Sequence, residues 1–113
     1  MKLFSSLKIL DLTRVFSGPF ATRHFADFGA EVIKVEPPKG DDRRNFPPLI
    51  NNWSGYFEIL NRNKKSLVLD LKKNKDLNIF YNLCKSSDVI VENYSPKVSK
   101  KIKIKYSIVQ KIK

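Results

Sequence analysis

Cysteine, histidine and tryptophan occur once each in these 113 residues, and glycine only four times. The single Cys84 excludes an internal disulfide and a cysteine-only metal site, which fits a reducing compartment. Its expected position on the buried side of a helix makes it a packing residue rather than a nucleophile. No apolar run approaches the roughly 20 residues that span a bilayer. The opening MKLFSSLKILDLTR is broken by Ser5, Ser6 and Lys8, too short an apolar segment for a secretion signal, so the cytoplasm is the expected location. Glycines 18, 29, 40 and 55 form no GxGxxG pattern. The nicotinamide or flavin fingerprint is therefore missing, and Glu31 and Glu36 lack the loop that would make either a ribose-binding acid. Acidic residues are absent from residues 97–113, where seven lysines gather.

What is present describes a folded body. Apolar residues make up 42% of the chain and aromatics 12%, too much for a disordered polypeptide. A chain of this size forms one domain and buries roughly two thirds of its unfolded surface. The net charge of +11 is uneven, since residues 1–96 carry 15 basic and 11 acidic side chains and the rest of the excess lies in the tail. With 17 lysines to five arginines, much of that excess reads as lysine-biased composition. A basic body attracts phosphate-bearing ligands, and a basic tail attracts nucleic acid or anionic lipid. Nucleic acid is the poorer partner here, because the tail offers only Tyr106 for stacking.

Residues 10–38 carry the strongest local signal. An apolar run of Ile9, Leu10 and Leu12 predicts a first strand over residues 8–12, and Gly18-Pro19 opens a helix that Gly29 closes. Phe20, His24 and Phe28, with Ala21 and Phe25 beside them, predict an apolar helix face; His24 is read as packing or a surface hydrogen bond. Val32, Ile33 and Val35 among charged residues predict the second strand. Residues 37–52, with prolines at 37, 38, 47 and 48, predict a long surface loop in which residues 41–44 are a solvated charged cluster. Trp53, Tyr56 and Phe57 predict a short helix over residues 53–60, started by Ser54 and capping the sheet. Residues 67–69 read as a third strand. Residues 70–86 read as a helix whose Leu77, Phe80, Tyr81 and Cys84 share a face, and residues 89–91 as a fourth strand.

This alternation predicts an α/β fold: Rossmann-like, with a mostly parallel sheet and flanking helices. Residues 14–17, 36–37, 70–72 and 93–95 follow the strands and should meet at one rim, where such sheets bind ligands. A body over residues 1–96 and a lysine-rich segment over residues 97–113 are the expected organisation.

Four stretches in order, LDLTRVFSGPFAT, GAEVIKVEPPKGDDRR, YFEILNRNKKSLVLDLKK and SDVIVENYSPKV, resemble the opening region of the class III coenzyme A transferases, which include formyl-CoA transferase, carnitine CoA-transferase and α-methylacyl-CoA racemase. The resemblance covers about residues 7–106. It implies the N-terminal part of a larger two-domain fold whose chains interlock as homodimers, and it implies coenzyme A, as CoA or an acyl-CoA thioester, as ligand.

The activity implied is transfer of CoA between carboxylic acids through an aspartyl intermediate. The aspartate matches a point beyond residue 113, so these residues alone are expected to be inactive unless a second polypeptide supplies the rest. A racemase-type relative is the alternative; a non-catalytic remnant or basic binding module is the reading from another class. The resemblance carries CoA contacts onto Phe16 and Ser17, onto Leu69, Asp70, Leu71 and Lys72, and onto Asn93, Tyr94 and Ser95. Lys101 stands where an arginine commonly meets a phosphate, and Lys103 where glycine permits positive φ. Arg62, in the Asn61-Arg62-Asn63-Lys64-Lys65 signature, is either near the ligand or part of a structural turn.

Overall fold

The computed structural model describes residues 2–112. In chain order the elements are β1 (Lys8–Asp11), α1 (Ser17–Asp27), β2 (Glu31–Glu36), a 3-10 turn (Asp42–Asn45), the short strands β3 (Leu49–Ile50) and β4 (Trp53–Ser54), α2 (Gly55–Asn61), β5 (Lys65–Val68), α3 (Asn74–Ser86), β6 (Val89–Val91), α4 (Pro96–Lys101) and α5 (Tyr106–Val109). Four strands lie in the order β5-β2-β1-β6. All three pairings are parallel, with Asp11 opposite both Lys34 and Val91, and Val35 opposite Leu67. The expected α/β sheet with flanking helices is formed. The chain builds outward from β1 on one side, then crosses to place β6 on the other. The reversal leaves a crevice between the carboxyl ends of β1 and β6, where ligands bind in sheets of this kind.

Strand period two separates the sheet into two faces. Leu10, Leu12 and Val35 pack with Leu69, Leu77, Phe80, Cys84 and Ile104 in the larger apolar core. The helix stripe expected at Leu77, Phe80 and Cys84 is buried, with Tyr81 at its margin. On the opposite face Ile9 and Val32 meet Ala26 and Ala30. Above them stand Asp11, Lys34 and Glu36, each at most 2% exposed.

Several expectations are corrected. The inward face of α1 is Pro19, Thr22 and Ala26, not the aromatic stripe; Phe20, Phe25 and Phe28 are 37%, 37% and 45% exposed, and His24 and Ala21 face solvent. Small residues win because α1 lies close on the sheet: a Cβ added to Gly18 would stand 2.4 Å from Thr13 Cβ. In β2 the charged Lys34 and Glu36 are buried, because a parallel strand with helices on both sides has no wet face, and only Glu31 at its start stays partly exposed beside Lys65.

Residues 37–52 are not one loop. They contain the 3-10 turn and one strand of the antiparallel β3–β4 ribbon, turned by Asn51 and Asn52 at positive φ. Trp53 belongs to that ribbon and is 62% exposed, so α2 starts later than expected, with Ser54 as the cap accepting from Phe57 N. The third sheet strand lies two residues before its expected start, and α3 begins at Asn74, because residues 70–73 form a turn closed by Lys73 N donating to Asp70 O. No helix of the described residues is long and apolar enough to cross a membrane.

Candidate functional site

The carboxyl ends of all four sheet strands meet at one groove of about 150 Å³. Its walls come from Arg14 after β1, from Val35 to Pro38 at the end of β2, from Leu69, Asp70, Leu71 and Lys72 after β5, and from Tyr94, Val98 and Ile102 beyond β6. Apolar side chains line most of it, with Arg14 and Lys72 as cations. Burial is the main influence that raises the Tyr94 hydroxyl above its ordinary pKa, so it stays protonated and able to donate.

Of the ten expected contact residues, Leu69, Asp70, Leu71, Lys72 and Tyr94 line this groove; Phe16, Ser17, Asn93, Ser95 and Lys101 do not. Asn93 instead joins the strand ends: its Oδ1 accepts from Arg14 N at 3.0 Å and its Nδ2 donates to Arg14 O at 2.9 Å. Asn93 thereby adds a side-chain tie between the segments that follow β1 and β6, beside the backbone bond from Leu12 N to Val91 O. Ser95 caps α4 by accepting from Val98 N. Ser17 is exposed as the first residue of α1, and Lys101 is exposed at the end of α4, one residue before Ile102. Lys103 does adopt positive φ, +59°.

Phe16 lies on a separate surface. Val15 before it holds φ +72°, a conformation that costs a β-branched residue on the order of 1–3 kcal/mol. The turn directs Phe16 outward, where it stacks on Phe20 at 5.5 Å and approaches Tyr56 at 6.4 Å. Tyr56 lies 5.0 Å from Phe46, completing a half-open aromatic wall.

Beneath both surfaces runs a buried ionic network that sequence reasoning missed. Lys64 Nζ donates to Asp11 Oδ2 at 2.8 Å, Pro19 O at 3.0 Å and Asn61 Oδ1 at 2.9 Å, which uses all three of its protons. Asp11 also accepts from Thr13 N and from Thr22 Oγ1. Lys34 Nζ lies 2.9 Å from Asp41 Oδ2 and donates to Thr13 O. Glu36 takes both arms of Arg44 at 2.7 Å, together with Asp41 N and Ser66 Oγ. Burial pushes the Glu36 carboxyl up, but its hydrogen bonds and the Arg44 charge outweigh that and bring it to about 2. Burial likewise opposes ionisation of Asp11, and Lys64 and Lys34 overcome it. Burial is also the largest influence on Lys64, lowering its pKa despite Asp11.

One expectation is corrected here, and one open alternative is narrowed. Asp41 is buried, and Arg44 is bound to Glu36, so residues 41–44 are not a solvated cluster. Arg62 forms a forked pair with Asp27 and is structural, as is Asn63 beside it. A signal was available: charged residues in the middle strand of a parallel α/β unit must find partners inside.

A family model described as "CoA-transferase family III" matches residues 4–113. The chain belongs to that family. It is 46% identical over 99% of its length to a succinyl-CoA:glutarate CoA-transferase of Mus musculus, and 42% identical over 96% to an acetyl-CoA:oxalate CoA-transferase of Acetobacter aceti. It covers 26% and 28% of those two proteins. The crystal structure of a CAIB/BAIF family protein from Brucella suis superposes with a TM-score of 0.88 at 31% identity, over 96% of this chain and 30% of that one. Within CoA-transferase family III, then, the chain spans about a quarter of the length of these curated relatives.

Proposed function

We propose that the rim groove holds the nucleotide end of coenzyme A, in a protein that transfers CoA between carboxylic acids. The observation that carries the reading is the convergence of the four strand ends, from β1, β2, β5 and β6, on a single apolar groove flanked by Arg14 and Lys72. Leu69, Leu71, Pro37, Val98 and Ile102 offer surface to adenine and pantetheine. Lys72 faces phosphate charge, with Lys101 on the neighbouring helix end, while Arg14 is paired with Asp42. A phosphomonoester carries about −1.5 to −2 charges near neutral pH, and exposed lysine pairs contribute only about 0–1 kcal/mol each. Apolar contact therefore has to supply most of the affinity.

The chain's own residues bind and orient in this reading, and Asn93 ties the segment after β6 to the backbone of Arg14 after β1. The bond-breaking step belongs to the aspartate that family members place beyond the point matching residue 113. It attacks the acyl thioester and releases CoA thiolate, which then cleaves the mixed anhydride; the resulting enzyme-CoA thioester passes CoA to a new acid. Calorimetric titration of the chain with CoA tests the binding half. Saturable heat is expected, with affinity falling by up to about fivefold in Lys72→Glu; no heat at millimolar CoA would refute it.

A further inference from the structure

The chain has five arginines, and four of them are committed to carboxylates: Arg14 to Asp42, Arg23 and Arg62 to Asp27, and Arg44 to Glu36. Arg43 differs. Among the described residues its guanidinium has no carboxylate and no hydrogen-bond acceptor; its Nε, like that of Arg23, is shielded from solvent without a hydrogen-bond partner, but Arg23 has Asp27 beside it. Its central carbon lies 4.7 Å from the Phe46 ring centre and 6.0 Å from that of Tyr56. Two carboxylates adjoin it in sequence, but Lys34 neutralises Asp41 and Arg14 neutralises Asp42. Neither is left to satisfy Arg43.

The backbone below this side chain is fixed from inside the fold. Arg43 N donates to Asp41 Oδ1 at 2.8 Å, and Asp41 is itself held by buried Lys34. The ring surface extends through Tyr56 to Phe16 and Phe20, and Phe16 and Phe46 are 51% and 40% exposed. A planar cation lying on aromatic rings, weakly hydrated and without a counter-ion of its own, matches the forked geometry of a carboxylate. The rings beside it suit a short carbon chain.

We propose that Arg43, with the Phe16, Tyr56 and Phe46 wall, binds the carboxylate of a small organic acid, as the acid partner in the transfer. This inference rests on the function proposed above, and places the acid on a surface distinct from the groove assigned to CoA. Isotope-labelled full-length chain, titrated separately with succinate, with uncharged succinamide and with CoA, tests it by nuclear magnetic resonance. Succinate is expected to shift the Arg43 Nε–Hε signal and the Phe46 and Tyr56 ring signals, and succinamide to leave them in place. Arg43→Gln is expected to weaken succinate about tenfold while leaving CoA affinity unchanged; Arg43→Lys, which keeps the charge but loses the fork, should fall between. A chain that binds CoA while succinate leaves Arg43 and the rings unmoved, or an Arg43→Gln variant that binds succinate as tightly as the unaltered chain, overturns the carboxylate site alone. A chain that binds succinate at Arg43 but not CoA supports the site and removes the CoA reading.

Discussion

On the face covered by α3, strands β1 and β2 present Leu10, Leu12 and Val35 to Phe80, Leu77 and Cys84. On the face covered by α1 and α2, the same strands present Asp11, Lys34 and Glu36 to Lys64, Asp41 and Arg44. Both faces are closed to water, yet they are closed by different physics. Apolar contact is tolerant of which residue supplies the area, whereas a buried ion is tolerable only if a named partner stands at hydrogen-bond distance. The ionic face therefore fixes relative positions: Lys64 draws together β1, the start of α1 and the end of α2 through Asp11, Pro19 and Asn61. That is the face beneath the Phe16 turn and the Arg43 segment, where position matters most.

Removing one member from each face separates the two modes. Phe80→Ala should cost about 3–5 kcal/mol through the cavity it leaves, and Lys64→Met a similar amount by stranding Asp11. The second substitution distinguishes them. Asp11→Leu added to Lys64→Met should return a large part of the loss in chemical denaturation, because no ion is left unpaired. No second truncation next to Phe80→Ala should return anything. Additive losses on both faces would erase the distinction.

Acid should attack only one face. Glu36 titrates at about 2 in the folded chain, below its ordinary 4.5, so between these values the unfolded chain binds more protons. Its contribution is present above about pH 4.5 and is lost as pH falls towards 2, a change of roughly 3 kcal/mol. Asp11, also lowered, acts in the same direction. Thermal melts across this range should show a steep acid limb that Glu36→Gln flattens; an unchanged limb would mean that the pair with Arg44 does not hold in solution.

The smallest of these effects concerns how closely α1 rests on the ionic face. Gly18→Ala would force its new methyl against Thr13, and an overpacked contact of this sort costs about 1–3 kcal/mol. The loss should appear as a lowered midpoint in denaturant with an unchanged slope.

The apolar face was legible in the sequence and the ionic face was not. Leu77, Phe80 and Cys84 announce themselves by spacing, and the strand at Val89–Val91 by β-branched residues. The unit from residue 10 to residue 38 was legible as well, because Gly18-Pro19 and Gly29 punctuate it. Lys34 and Glu36 carry no sign of burial in the sequence, because a charged residue alternating with Val32, Ile33 and Val35 looks the same whether its partner is water or a buried ion. Phe20 and Phe28 promise an inward face by size and spacing, while Thr22, drawn inward by its bond to Asp11, carries no apolar signal. In the groove, Leu69, Asp70, Leu71, Lys72 and Tyr94 were anticipated from strand ends and resemblance. The part played by Asn93 was not, since a side chain that clamps two backbones looks in sequence like one that awaits a ligand.

Trp53, the chain's only indole, stands in the β3–β4 ribbon with most of its surface in water. Its emission is accordingly that of a hydrated ring before any denaturant is added, and loss of the sheet will scarcely change its colour. The ribbon is tied to the aromatic wall through Ser54 Oγ donating to Phe46 O, so the same fluorophore is a spectator of the core and a witness to that wall. Circular dichroism can follow the fold while tryptophan light follows the surface, two readouts from an unlabelled molecule.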